Sequence, residues 1–437
     1  MVAESLPEKT YQKDYAEMVI RLSTKEWFTA RISAASLITA GYAKFTKEQQ
    51  NILTQNFAQL CKDDTPMVRR VAAQHLGPMV ENIVKVSGRA PLAADGIVTT
   101  LLIPLYEELA SNEQPDSVRL QTTENCVVFG RVMDTIVKQG PLNDDELALM
   151  KRILPLVMAT IDDRSWRVRW TAAAKFADVI ASHEELPGAI ESLVPAYEKL
   201  LQDPEAEVRT AATFNLARVA SCKTKVPVAA GSRPPQEGDD TETAAFPGVK
   251  TSVAERLVKR VTSLTEDDSE HVRAALAMVA TELAPILGKD ATITYLVPPV
   301  LLLLRDAASE VRLNLISSLS ALNEVIGVDL LSQSLLPAIL DLAQDGKWRI
   351  RLAIIEQMPL LAKQLGKDFF TEKLTTLCVG WLGDDIATIR TAAATNLKVR
   401  KGVSCIVRKT SSSRLPFNLL LLLLLGTYRA VRRRLGH

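Results

Sequence analysis

The sequence predicts an all-α solenoid of repeated helix pairs, and three observations carry that expectation: length, composition and one motif at fixed spacing. A single compact core does not extend over 437 residues, so the chain is either several domains or an array in which each unit packs on its neighbours. Aromatic residues make up only 5%, with Ala, Leu and Val abundant, which favours the array. The motif then decides it.

An acidic residue, four variable positions, then Val or Ile followed by Arg recurs along the chain. It reads Asp63/Val68/Arg69, Glu113/Val118/Arg119, Asp163/Val168/Arg169 and Asp203/Val208/Arg209 in the first half. It continues as Asp267/Val272/Arg273, Asp306/Val311/Arg312, Asp345/Ile350/Arg351 and Asp384/Ile389/Arg390, and these last four arginines stand 39 residues apart each time. A degenerate first copy is KEWFTAR, whose Arg31 precedes Arg69 by 38 residues. Nine repeats result. Two gaps of 50 residues and one of 64 are insertions in an otherwise constant unit. A unit of this length with two helical patterns defines the HEAT class.

The second helix of each unit is read from its apolar stripe. Val272, Leu276, Ala280 and Leu283 are spaced i, i+4, i+8, i+11, as are Val311, Leu315, Leu319, Leu322 and Ile350, Ile354, Met358, Leu361. Gly288, Gly327 and Gly366 follow these stripes, where a helix end favours positive φ. In the first helix, Pro155, Pro195, Pro298 and Pro337 each stand eight residues before the repeat's Asp, which predicts a bend at one fixed place. The Asp is placed to serve unpaired N–H groups at the start of the second helix. The Arg one turn further on can reach the Asp of an adjacent repeat, so a structural ladder is expected of Asp63, Arg69, Asp163, Arg169, Asp203, Arg209, Asp267, Arg273, Asp306, Arg312, Asp345 and Arg351.

Insertions and ends divide the chain further. Residues 1–221 and 251–400 carry repeats, and 222–250 is Pro-, Gly- and acid-rich with few large apolar groups, which predicts a disordered loop; it reads first as a tolerated insertion, with regulation by phosphorylation at Thr241 or Thr243 as the alternative. Shorter insertions near Gly88 and Gly140 are expected to alter the outer edge and leave the core alone. Residues 401–437 lose the motif and run into seven leucines, Leu419 to Leu425, short of the roughly 20 apolar residues a membrane helix needs. Three readings stand for this tail: an anchor, a partner-binding helix, or a misread frame, which the abrupt change inside a repeat favours.

Catalytic chemistry finds no support in the motifs. The four histidines are scattered, HExxH, GxSxG and GxxxxGK[ST] are lacking, and His183 in HEEL reads as a surface helix end. Acid pairs such as Asp162-Asp163 recur at the same place in successive repeats and so mark a structural turn. No enzyme activity and no cofactor are expected. The net charge of +1 conceals ten bases and no acid in residues 398–437, leaving 42 bases against 51 acids before them; nucleic acid is not the expected partner. Five cysteines without a CxxC pair fit free thiols, and the charged N-terminus is unlike a secretory signal, so the cytosol, with access to the nucleus, is the expected location.

The turn sequences narrow the class. KEWFTAR, CKDDTPMVRR, DDRSWRVRW, DPEAEVR, ILGKD, EVRLNLIS, NEVIGVDLLSQSLLPAI and GKWRIRLAIIEQMPLLAKQLG resemble the scaffold (A) subunits of serine/threonine protein phosphatase 2A, from about Tyr15 to Leu397. The resemblance implies a non-enzymatic platform whose intra-repeat turns form a ridge. Early repeats would receive a B-type regulatory subunit, and late ones the phosphatase catalytic subunit, joining substrate selection to dephosphorylation. By motif, Trp27, Pro66, Met67, Arg70, Trp166 and Arg167 would meet the regulatory subunit, and Trp348, Arg349 and Trp381 the catalytic subunit. Relative to that family the chain is expected to start about three repeats in and to lose register before the last repeats, which predicts weak catalytic-subunit binding. A HEAT or armadillo adaptor, such as a nuclear transport receptor, is the alternative; it predicts cargo on the inner helices and gives no reason for tryptophans in the turns.

Overall fold

The computed structural model describes residues 10–184, 186–227, 250–327, 335–365 and 374–398. Gly366, Thr241, Thr243, Cys405 and the tail at 401–437 lie outside the described residues. The chain divides into two compact units, Met1–Val300 and Leu301–His437.

In the first unit, helices come in pairs: α1 (Ala16–Ser23) with α2 (Phe28–Gly41), and α3 (Lys47–Cys61) with α4 (Pro66–Ser87). Next are α5 (Ile103–Ala110) with α6 (Gln121–Val137), which a single turn at Asp116–Arg119 introduces, and α7 (Asp144–Ile161) with α8 (Trp166–Ser182). The last pairs are α9 (Ala189–Leu200) with α10 (Ala206–Phe214) and α11 (Leu216–Ala220), then α12 (Val253–Thr265) with α13 (Glu270–Val279). The chain continues through α14 (Val297–Leu303). Second helices stack on second helices, α2 on α4, α4 on α6, α6 on α8, α8 on α10 and α10 on α13, while first helices form their own layer. The second unit holds α15 (Ser309–Ile326), α16 (Leu336–Leu342), α17 (Trp348–Leu365), α18 (Thr375–Gly380) and α19 (Ala387–Lys398), with α15, α17 and α19 stacked in turn. This is the all-α HEAT/armadillo architecture.

The stripes explain the layering. All twelve residues of the three stripes read from the sequence are buried, because spacing near 3.6 puts them on the face each helix turns to its neighbours. First helices α3, α7 and α12 begin with complete capping boxes, Thr46 with Gln49, Asn143 with Glu146 and Ser252 with Glu255, which fix where each starts. Gly288 and Gly327 take φ of 77° and 82°.

Three expectations change. Pro155 and Pro195 lie inside α7 and α9, but Pro298 and Pro337 are second residues of α14 and α16; α14 continues directly from a π-helical turn at Thr292–Leu296, so Pro298 falls where the run passes from π to α. The insertions near Gly88 and Gly140 reach the core and each other. Leu92 is fully buried, and Arg89 donates to the carbonyls of Ile136 and Gly140 at 2.8 and 2.7 Å. The insertion at 222–250 is closed at its base, where β1 (Lys225–Pro227) pairs antiparallel with β2 (Lys250–Ser252), and α11 packs on α12 across it. Residues 228–249 lie outside the described residues.

Candidate functional site: a line of joined turns

Each repeat's Asp closes its own turn. Its Oδ1 accepts the N–H two residues on: Asp63 from Thr65 at 2.8 Å, Asp163 from Ser165 at 2.7 Å, Asp203 from Glu205 at 2.9 Å and Asp267 from Ser269 at 2.9 Å. These acceptors serve the N–H of the N-cap residue, so the carboxylate holds the start of the second helix as expected and does so through an Asx-type turn. The same geometry holds for Asp306, Asp345 and Asp384 in the second unit, with Ala308, Lys347 and Ile386 donating.

The Arg does two things at once. One guanidinium nitrogen donates to its own turn's carbonyls, as Arg169 to Asp163 at 2.9 Å, Arg209 to Asp203 at 2.7 Å, Arg273 to Asp267 at 2.6 Å and Arg351 to Asp345 at 2.6 Å. The other edge of the fork grips the next repeat's carboxylate, giving Arg31–Asp63 at 2.6 Å, Arg119–Asp163 at 2.7 Å, Arg169–Asp203 at 2.6 Å and Arg209–Asp267 at 2.7 Å. Arg69 instead donates to Gln114 Oε1 at 2.9 Å, so Glu113, the acid of that motif copy, is not the acceptor there. Six turns of the first unit are thereby tied in a row. In the second unit Arg312 meets Asp345 at 3.3 Å and Arg351 meets Asp384 at 3.0 Å.

The rungs set the charge state of the line. Burial alone would push the Asp163 carboxyl up, yet the bonds from Arg119 and the Ser165 N–H hold it below the ordinary carboxylate value. Asp63, Asp267 and Asp384 are lowered in the same way against the same penalty, by Arg31, Arg209 and Arg351 with the turn N–H groups.

Fixed turns present fixed side chains. Trp27 is the N-cap residue of α2 and 75% exposed, while Trp166, first residue of α8, is 41% exposed with the Arg167 guanidinium 5.6 Å from its ring. Pro66, Met67 and Arg70 are exposed at the start of α4. Trp348 opens α17, half-buried, with the exposed Arg349 5.3 Å over its ring. These rings therefore stand at turn–helix junctions.

Trp381 is a correction. Its ring is 5% exposed and its Nε1 donates to the Ala343 carbonyl at 3.0 Å, so it is core and presents no contact surface. His183 is corrected too: it caps the end of α8 in the interior, with Nδ1 against the Val179 carbonyl at 2.9 Å and Nε2 3.4 Å from Cys126 Sγ. Burial lowers the imidazole and raises the thiol, so the pair rests neutral and serves packing.

Two features escaped the sequence reading. Trp170, 44% exposed, stands one turn beyond Trp166 at the position Arg70 holds two repeats earlier, and adds a third indole to the first unit's exposed set. A second, neutral ladder runs along the second helices. Six residues after the repeat's Arg, Asn125, Asn215 and Asn396 donate to the carbonyls of Ala73, Ala173 and Ile355 in the preceding repeat at 2.9, 3.1 and 2.5 Å. Asn125 also accepts from the Gly77 N–H at 3.0 Å, beside Pro78, and Ile355 is the carbonyl that Pro359 leaves without a helical donor.

With this geometry in place, likeness to known proteins falls into two parts. Residues 189–288 match the family described as PPP2R1A-like HEAT repeat. The chain is 38% identical over 172 residues to the PP2A regulatory (A) subunit of Schizosaccharomyces pombe, covering 39% of this chain and 26% of that protein. It is 39% identical over 284 residues to the beta isoform of the human 65 kDa regulatory (A) subunit of serine/threonine-protein phosphatase 2A, covering 65% of this chain and 40% of that protein. The chain thus spans well under half the length of these relatives. Among solved structures, the Kap95p complex with RanGDP superposes with a TM-score of 0.62 at 14% identity, over 89% of this chain and 47% of that one. That likeness shows the fold alone. The chain is a HEAT-repeat protein similar to the regulatory (A) subunits of phosphatase 2A.

Proposed function

We propose that this chain is a non-enzymatic scaffold of protein phosphatase 2A, whose turns bind a B-type regulatory subunit in the first unit and the catalytic subunit in the second. The observation that carries this reading is the row of six turns locked edge to edge, with Trp27, Pro66, Met67, Arg70, Trp166 and Arg167 standing out beside it. A row held by four bidentate ion pairs and one Arg–Gln bond is preorganised, and exposed Trp and Arg are the residue types that dominate interface energetics. Similarity to the named regulatory (A) subunits supports the choice of partner. On the catalytic-subunit side the reading rests on Trp348 and Arg349, with Trp381 withdrawn.

A transport receptor would carry cargo on its inner helices, and the exposed indoles at the turns favour the scaffold instead. Cytosolic location, with nuclear access, belongs to the same proposal. Among the described residues no helix is long and apolar enough to cross a membrane. The test is capture of purified B-type and catalytic subunits by the full chain. Trp166→Ala is expected to weaken regulatory-subunit capture about tenfold or more while circular dichroism stays native; undiminished capture by the variant counts against the reading.

A further inference from the structure

We infer that Thr65 is a phosphoacceptor for a proline-directed serine/threonine kinase, and that its phosphate opens the Arg31–Asp63 rung. Of the 21 prolines in the chain, Pro66 alone follows a Ser or Thr. That dipeptide lies in a turn of the joined row, with Thr65 extended at φ −84°, ψ 117° and half-buried between the exposed Asp64 and Pro66. An extended residue before proline is what such a kinase reads, and the surrounding turn is the surface of the molecule.

The neighbours of Thr65 Oγ1 give the phosphate its consequence. Arg31 Nη2 donates to this oxygen at 3.3 Å while the same nitrogen and Nε donate to Asp63 at 3.0 and 2.6 Å. The Thr65 N–H is in turn held by Asp63 at 2.8 Å. One guanidinium is therefore shared between a carboxylate and a hydroxyl. In phosphorylation the γ-phosphoryl group of ATP moves to Oγ1: the O–P bond forms, the γ-phosphorus parts from its bridging oxygen, ADP leaves and the hydroxyl proton passes to the kinase's catalytic carboxylate. The product carries about two negative charges and three strong acceptors beside Asp63. Arg31 is drawn to the phosphate and Asp63 is repelled, so the tie between the first two repeats passes from Asp63 to the phosphate and the Asp63 carboxylate is left without its counter-ion. The corresponding residue of the other first-unit turns is Trp27, Pro115, Ser165, Glu205 or Ser269, none of them followed by proline, so the device belongs to one turn.

Its effect on partner capture rests on the proposed function, since Pro66, Met67 and Arg70 adjoin Thr65; the acceptor chemistry does not. The full chain is incubated with a recombinant proline-directed kinase and Mg-ATP and mapped by tandem mass spectrometry, with Thr65→Val as control. A single phosphate on Thr65, absent from the control, is expected, with Tm lowered by about 1–3 °C. In Arg31→Gln, where no guanidinium lies between the phosphate and the Asp63 carboxylate, the loss of Tm on phosphorylation should be larger. A folded chain left unmodified by a kinase that phosphorylates the peptide Lys62–Arg70 overturns the inference, as does an equal Tm shift in Arg31→Gln. Capture of the regulatory subunit is scored separately, before and after modification: an unmodified chain that captures none counts against the proposed function and leaves the kinase result standing.

Discussion

The rungs Arg119–Asp163 in the first unit and Arg312–Asp345 in the second use the same two residue types for the same task, yet they meet water differently. The first has 2% and 4% of its side chains exposed and binds at 2.7 Å; the second has 11% and 18% exposed and binds at 3.3 Å. A motif repeated faithfully along a chain thus yields interactions of unequal strength, because the solvent left around each pair sets what it costs to lose one partner.

Arg119→Ala breaks this comparison most directly. It leaves the Asp163 carboxylate buried without its counter-ion and should cost about 3–5 kcal/mol, whereas Arg312→Ala should cost about 1–2 kcal/mol. Both are read by chemical denaturation, and equal losses would show that burial does not rank the rungs. Tryptophans extend the contrast from charge to apolar surface. Trp381→Ala should cost about 3–5 kcal/mol and Trp27→Ala stay within about 0.5 kcal/mol, since only the first ring is packed. Asn125→Ala, which strips the Ala73 carbonyl and the Gly77 N–H of their partner, should cost about 1–3 kcal/mol.

Much of this was legible in the sequence, and the exceptions have physical causes. Spacing revealed the repeat, its stripes and the Arg–Asp reach, because backbone period and side-chain length dictate them. Trp381 was misplaced although a signal existed: it stands three residues before Asp384, and the residues at that offset from Asp63, Asp203, Asp267, Asp306 and Asp345 are all leucine, all buried. Residue type, which suggested an interface, competed with register, and register won. The amide ladder was hidden for a different reason. Asn occupies that offset in only some repeats, and its partners are backbone carbonyls, which carry no mark in sequence. Gln114 took the place of Glu113 because a turn one residue different in shape shifts which side chain faces Arg69.

Acid gives the finest separation of the two units. His183 and His75 are lowered by burial, so in the folded chain they stay neutral below the ordinary histidine value near 6.5. The unfolded chain then binds the extra protons, and stability falls as pH drops from about 6.5 toward each lowered value. Asp63, Asp163 and Asp267 are lowered too, and their contribution, complete above the ordinary carboxylate value near 4, is lost only as pH falls below it. The first unit should therefore lose stability in two windows. Among the described residues of the second unit there is no histidine, while Asp384 is lowered, so that unit should show the lower window only. Hydrogen exchange of the full chain at pH 7, 5.5 and 3.5, corrected for intrinsic rates, resolves the two: protection in α6 and α8 should decline by pH 5.5 while that in α17 and α19 holds. His183→Gln should remove part of the early loss, and an equal decline in both units at pH 5.5 would assign it to something other than these buried imidazoles.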